Sequence, residues 1–263
     1  MKVLVLGGNR FSGKALVNKL IAEKNEVHVF NRSGTSPPGA HVIKGNRNNL
    51  ADLKEVHFSD YDCIVDMCLY KLDQFTLIKD LIPACVNYVF VSSGVVDYPH
   101  AFGKYGREKI EVESALVKSG LNFKILRPSY IVGKDDHNGR LAYYISMLEN
   151  GNPIEVDGDG SCPINLVFVQ DVVKCLYELS MDTDMTRKIY HASSNESITV
   201  NELITMLKQQ LKVANHVVLN SAHAPFHDQS FEFDNSRIKD DYCLDFTDIR
   251  VGIEDYVKEN NGY

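Results

Sequence analysis

No two cysteines of this sequence stand at a CxxC spacing. The six of them (Cys63, Cys68, Cys85, Cys162, Cys175, Cys243) fit no zinc-ligand pattern and are expected to be reduced, mostly buried thiols. The one His-x-x-x-His spacing, His223 with His227, encloses Pro225, which breaks a helix, so a loop is expected there and no metal site. No apolar stretch approaches the roughly 20 residues that cross a bilayer. The opening Met1-Lys2-Val3-Leu4-Val5-Leu6 is too short for the apolar core of a signal peptide and runs into glycines. A soluble, cytoplasmic protein with no membrane partner is therefore expected. No run of Lys and Arg interrupts a formal net charge of -7 and a pI near 5.7, so nucleic acid is a disfavoured partner. Internal repeats and low-complexity linkers are missing too.

What is present is an ordinary globular composition, 44% hydrophobic and 24% charged over 263 residues. That length suits one large α/β domain, alone or with a smaller appendage. Short apolar runs at Val3–Leu6, Glu26–Arg32, His41–Gly45, Asp62–Met67, Tyr88–Ser92 and Phe123–Leu126 read as six strands. Helical patterns lie between several of them, at Lys14–Ile21, Asp73–Leu81 and Tyr105–Lys118. Alternation of this kind predicts an α/β fold, a Rossmann-type doubly wound parallel sheet, over residues 1–133. After Gly133 the rhythm loosens, with helices expected at Leu141–Leu148, Val169–Leu179, Val200–Leu211 and Ile249–Tyr256. Residues 134–263 read as a small mixed C-terminal substrate lobe, able to send a strand back to the main sheet.

Gly7-Gly8-Asn9-Arg10-Phe11-Ser12-Gly13 joins the first strand to the first helix. A helix N-terminus offers free N–H groups and the positive end of its dipole, and glycines let a pyrophosphate approach them. In that setting Gly7 and Gly13 point to a bound dinucleotide. The second strand ends in Asn31-Arg32-Ser33-Gly34. An NAD site usually places an acid there for the ribose 2′-hydroxyl, whereas Arg can accept a 2′-phosphate, so Arg32 favours NADP(H) over NAD(H).

The fifth strand runs out at Ser92-Ser93-Gly94, the edge of the sheet where ligands bind. Tyr105-Gly106-Arg107-Glu108-Lys109 puts Tyr and Lys at i, i+4 on one helical face. An ammonium near a phenol is expected to favour the phenolate, which fits Tyr105 to exchange a proton with a carbinol as hydride moves to or from nicotinamide. A serine beside it hydrogen-bonds the same oxygen.

These residues together resemble the extended and atypical short-chain dehydrogenase/reductase superfamily, in its NAD-dependent epimerase/dehydratase family. The resemblance runs along nearly the whole chain. Val5 to Gly13 is similar to the family's phosphate loop, and Gly45-Asn46-Arg47 to a segment whose side chain faces the adenine. Leu126 to Gly133 resembles the Arg-Pro segment that passes the nicotinamide. Val169-Gln170-Asp171-Val172 resembles a stretch near the substrate lobe, with Phe168 where a His is common. The resemblance implies Ser93, Tyr105 and Lys109 as catalytic residues, with Lys109 on the nicotinamide ribose. It implies Gly7, Asn9, Arg10, Phe11, Gly13, Arg32, Asn46, Arg47, Cys68 and Pro128 as cofactor contacts. The implied activity is epimerase, dehydratase or reductase chemistry on a nucleotide sugar or related small molecule, and a homodimer is one option. Arg10 replaces the middle glycine of Gly-x-x-Gly-x-x-Gly, as in a subgroup that includes chloroplast stem-loop RNA-binding proteins. A dinucleotide-sensing or RNA-associated protein without turnover is thus the alternative, opposed by the intact Ser93, Tyr105 and Lys109 and by the acidic net charge.

Overall fold

A computed structural model describes residues 1–98, 100, 103–213 and 217–261. Along the chain lie β1 (Lys2–Leu6), α1 (Phe11–Ala22), β2 (Glu26–Asn31), β3 (His41–Lys44), α2 (Leu50–Lys54), β4 (Cys63–Asp66) and α3 (Leu72–Ile78). Then come β5 (Asn87–Val91), α4 (Gly103–Lys118), β6 (Phe123–Pro128), β7 (Tyr130–Val132), α5 (Arg140–Glu149), β8 (Ile154–Val156), β9 (Pro163–Ile164) and β10 (Leu166–Phe168). The last are α6 (Val169–Met181), β11 (Lys188–Ala192), β12 (Ile198–Thr199), α7 (Val200–Leu211), β13 (Val218–Asn220), α8 (Ser236–Tyr242) and α9 (Ile249–Asn261).

The main sheet has seven parallel strands in the order β11-β6-β5-β4-β1-β2-β3. This is a Rossmann-type α/β fold. Side chains alternate across each strand, so β1 serves two cores at once. Val3 and Val5 pack with Leu16, Val17 and Leu20 of α1 and Leu176 of α6. Leu4 and Leu6 face the opposite layer, with Phe75 of α3 and Val112 and Leu116 of α4. All four β1 side chains are fully buried, which is why the strand reads as a continuous apolar run.

The strand order reverses beside β1, whose neighbours are β2 and β4, and this opens a crevice at the carboxyl ends of the strands. Around it sit the short pairs β7–β10, β9–β12 and β8–β13. Their core is built from Leu141, Tyr144, Ile164, Leu203, Leu207, Phe226 and Ile253. β11 returns from this region to pair with β6. Phe168, at the position where the resemblance suggests His, lies against Gly252 of α9 so closely that a Cβ there would overlap the ring. One helix is shorter than its pattern: α3 stops at Ile78 rather than running to Leu81. Pro83 lacks the N–H needed to continue it and disfavours helix at the residue before.

Candidate active site

The turn after β1 is shaped by two glycines. Gly7 has φ +91°, in the left-handed region, and donates its N–H to the Phe30 carbonyl at 3.1 Å. Gly13 lies so near this turn that a Cβ on it would stand 2.6 Å from the Gly7 oxygen. The first turn of α1 carries neither an acidic residue nor a side-chain cap, so its N–H groups and dipole face the loop unopposed. That cradle fits a pyrophosphate. Arg10 stands at φ −137°, extended backbone that any residue adopts, which is how it replaces a glycine without strain. The strain falls on Phe11, at φ +40°, whose buried ring meets His137 edge-on at 6.0 Å.

Asn9 ties this loop to the end of β2 by donating its amide to the Ser33 hydroxyl at 2.8 Å. Ser33 in turn is linked to Thr35 and to Asn31. Arg32 is exposed beside these hydroxyls and makes no ion pair among the described residues. Asn46 is half-buried, its amide oxygen accepting the Asn48 N–H at 3.1 Å. Arg47, expected as a cofactor contact, is buried beside it. Its guanidinium turns inward, donating to Asp66 at 2.6 and 3.0 Å and to the Cys68 sulfur at 3.2 Å. The reason is electrostatic: Asp66 is fully buried at the end of β4, and a carboxylate there requires a partner. The Tyr88 hydroxyl completes the set with a 2.8 Å bond to the same carboxylate. Cys68 lies under the phosphate turn, near enough that a Cβ on Gly7 would approach its sulfur to 3.0 Å.

Ser93, Tyr105 and Lys109 come together at the mouth of one cleft of about 480 Å³, with Phe11, Ser12, Pro128 and Tyr130 also on its walls. Ser93 follows β5 and caps a 3-10 turn, Gly94–Asp97, its hydroxyl accepting the Val95 N–H at 3.4 Å. Lys109, in α4, is buried and donates to the carbonyls of Leu69 and Val91 at 2.8 and 3.1 Å. The expected tuning of Tyr105 by Lys109 is not what this arrangement shows. Burial raises the phenol above its ordinary range, while a hydrogen bond with Ser93 and the Arg140 charge draw it only part of the way back. Lys109, two of its three donors given to carbonyls, stays 5.9 Å from the phenol ring centre and is itself lowered to about 8, chiefly by burial.

Residues 93–195 match the NAD dependent epimerase/dehydratase family. The family match begins at the serine that closes β5 and takes in Tyr105, Lys109 and Pro128. Among named relatives, the chloroplast stem-loop binding protein of 41 kDa b from Arabidopsis thaliana is 26% identical over 231 residues, 77% of this chain. The chain spans 61% of that relative's length. Solved structures of similar fold include a UDP-glucose 4-epimerase from Thermotoga maritima with UDP-glucose, at a TM-score of 0.82 and 18% identity over 100% of this chain and 99% of that one. A dTDP-glucose 4,6-dehydratase from Bacillus anthracis in complex with NAD gives 0.86 and 17%, over 99% and 97%.

Sequence reading missed several residues that the fold brings to this cleft or beneath it. Asp66 carried a signal, as a carboxylate inside an otherwise apolar strand. Tyr130 lies in the Leu126–Gly133 segment already expected near the nicotinamide, whereas Tyr70 and Arg140 carried no signal. The Val-Gln-Asp-Val stretch serves α6: buried Asp171 accepts the Thr247 N–H at 2.9 Å and so anchors the approach to α9. His223 and His227 lie between β13 and α8 outside any helix, as Pro225 requires. No helix among the described residues is long and apolar enough to cross a membrane.

Proposed function

We propose that the protein is an NAD(P)-dependent epimerase/dehydratase or reductase acting on a carbinol or carbonyl carbon of a nucleotide sugar, with NADP(H) preferred over NAD(H). One observation carries this reading. Ser93, Tyr105 and Lys109 line a single cleft together with Phe11 and Ser12, which belong to the Gly7–Gly13 turn. The similarity to folds solved with NAD and with UDP-glucose supports it. Arg32, exposed among the Ser33 and Thr35 hydroxyls, supports the phosphorylated cofactor.

The nicotinamide, when bound, supplies the hydride acceptor and donor. The protein's own task is the proton. With its phenol raised by burial, Tyr105 is neutral at neutral pH and gives its proton to a carbonyl oxygen; in the reverse direction it takes one from a carbinol. Ser93, bonded to the phenol, holds the same oxygen. Lys109, its ammonium fixed by two carbonyls, would hold a cofactor ribose hydroxyl with its remaining donor. Residues 134–263 form the lobe that receives the substrate.

The deciding experiment is Tyr105→Phe. It keeps the ring, and with it the packing, but removes the proton. Cofactor affinity should hold within about twofold while turnover of a nucleotide sugar falls about 10²- to 10⁴-fold. A fully active variant would remove Tyr105 from the chemistry.

A further inference from the structure

Lys109 lines the cleft, yet its ammonium is enclosed by aromatic rings. Phe90 of β5, fully buried, lies behind it, with its ring centre 4.8 Å away. On the cleft side stand Tyr105, one turn earlier in α4, at 5.9 Å and Tyr70 at 5.0 Å. Tyr70 comes from the loop between β4 and α3 and is 47% exposed, so it meets Lys109 on one side and the open cleft on another. The residue before it, Leu69, gives the carbonyl that accepts from Lys109 at 2.8 Å. One short loop therefore both binds the ammonium and covers it.

This loop is fastened from α3. The Gln74 side-chain oxygen accepts the N–H of Tyr70 at 2.8 Å and that of Lys71 at 3.3 Å. Its amide nitrogen donates to the Asn48 side chain at 2.9 Å. Tyr70 belongs to none of the three apolar cores of the described residues, so core packing does not account for a ring at this place.

We propose that Tyr70 is a positioning residue for the reaction: its ring roofs the Lys109 ammonium, keeps water from it, and so decides how firmly Lys109 keeps the third proton it can offer to the cleft. An ammonium has three donors, of which Leu69 and Val91 take two. A neutral amine has two, and none is left to donate. Burial is the main reason that Lys109 titrates near 8, and the Tyr70 ring supplies part of that burial. The other groups that face Lys109 are Asp66 and Cys68 at and after the end of β4, Arg47, and Glu113 and Tyr105 of α4. Asp66 is paired with Arg47 and Glu113 with Arg127, while burial raises Cys68, Tyr70 and Tyr105 above their ordinary ranges. A titration near pH 8 at this place is that of Lys109. That the third proton meets a cofactor hydroxyl rests on the proposed function above.

The test follows two quantities in the full chain from about pH 7 to about 10.5, the ordinary lysine range. One is the ¹³Cε resonance of Lys109 in lysine-labelled protein, assigned by its loss in Lys109→Met. The other is the affinity for NADPH. In the wild type the resonance should titrate near 8, and NADPH should bind about tenfold more weakly above that pH than below it. Tyr70→Ala, which opens the roof, should move both midpoints up by about one pH unit or more. Tyr70→Phe, which keeps the ring, should titrate like wild type. Gln74→Ala frees the loop and should move the resonance the same way by less; it decides the matter if Tyr70→Ala does not fold. The proposal is overturned if Lys109 titrates in the deciding variant as it does in wild type, or if Tyr70→Phe titrates like Tyr70→Ala. A resonance that moves as stated, with NADPH affinity indifferent to pH or NADPH not bound at all, would uphold the roof and overturn the contact of Lys109 with the cofactor.

Discussion

Lys109 is 2% exposed, and its ammonium sits between the rings of Phe90 and Tyr70, 4.8 and 5.0 Å from their centres. Burial disfavours its charge, and Asp66 opposes that effect only in part, so it titrates near 8 rather than 10.5. A group whose folded pKa lies below its unfolded one holds fewer protons when folded. Stability therefore rises with pH across the window from about 8 to 10.5, and the penalty is complete below it. Lys109→Met has no such titration. Urea midpoints of the two proteins should shift in the wild type's favour by up to about 3 kcal/mol between neutral pH and the top of that window. A difference that does not change with pH would mean that the ammonium is not desolvated as described. The same residue shows where sequence reading reached its limit. The Tyr–Lys spacing was legible because helical geometry fixes it; the carbonyls that hold the ammonium come from Leu69, in the loop after β4, and from Val91, at the end of β5.

The turn Gly94–Asp97, which carries Ser93 at its head, is held from two sides at its other end. Asp97 accepts from Arg127 of β6 at 2.8 Å and meets His191 of β11 at 2.7 Å. Burial works against the Asp97 charge, but the His191 bond and the Arg127 charge outweigh it, and the carboxyl lies below its ordinary range. Asp97→Asn should leave cofactor affinity unchanged and lower kcat about tenfold through a looser Ser93. Because the lowered carboxyl contributes stability above the ordinary carboxylate range and loses it as pH falls through its folded value, the stability gap between wild type and variant should close on acidification. Equal kcat in the two proteins would show that the turn is held without Asp97. None of these contacts was legible in the sequence, since Asp97 and His191 are 94 residues apart. The elements themselves were. β1, β4 and β5 are buried on both faces and so read as apolar runs but for Lys2, Asp66 and Asn87 at their ends, whereas β7, β9 and β12 are two or three residues long, too short for any period to show.

For the whole molecule, the cofactor turn is part of the scaffold as well as a ligand site. Gly13 opens α1, and α1 packs with β1 and α6 in one of the three cores. A ligand that binds only the folded protein stabilises it by RT ln(1 + [L]/Kd), about 2.7 kcal/mol at a hundredfold excess over Kd. For a chain of this size that corresponds to a rise in Tm of roughly 5–10 °C. NADPH should produce this rise, and NADH a smaller one at equal concentration, because only NADPH carries a phosphate for Arg32. Arg32→Ala should make the two cofactors alike by lowering the NADPH response. Gly13→Ala should lower the Tm without ligand, since its Cβ would meet the Gly7 oxygen at 2.6 Å, and should abolish the response to both. If NADH gave the larger rise in the wild type, the Arg32 assignment would fall while the turn's role stood. If Gly13→Ala still responded like wild type, the dinucleotide would have to bind away from the β1–α1 turn, and the cleft beyond it would lose its claim to the chemistry.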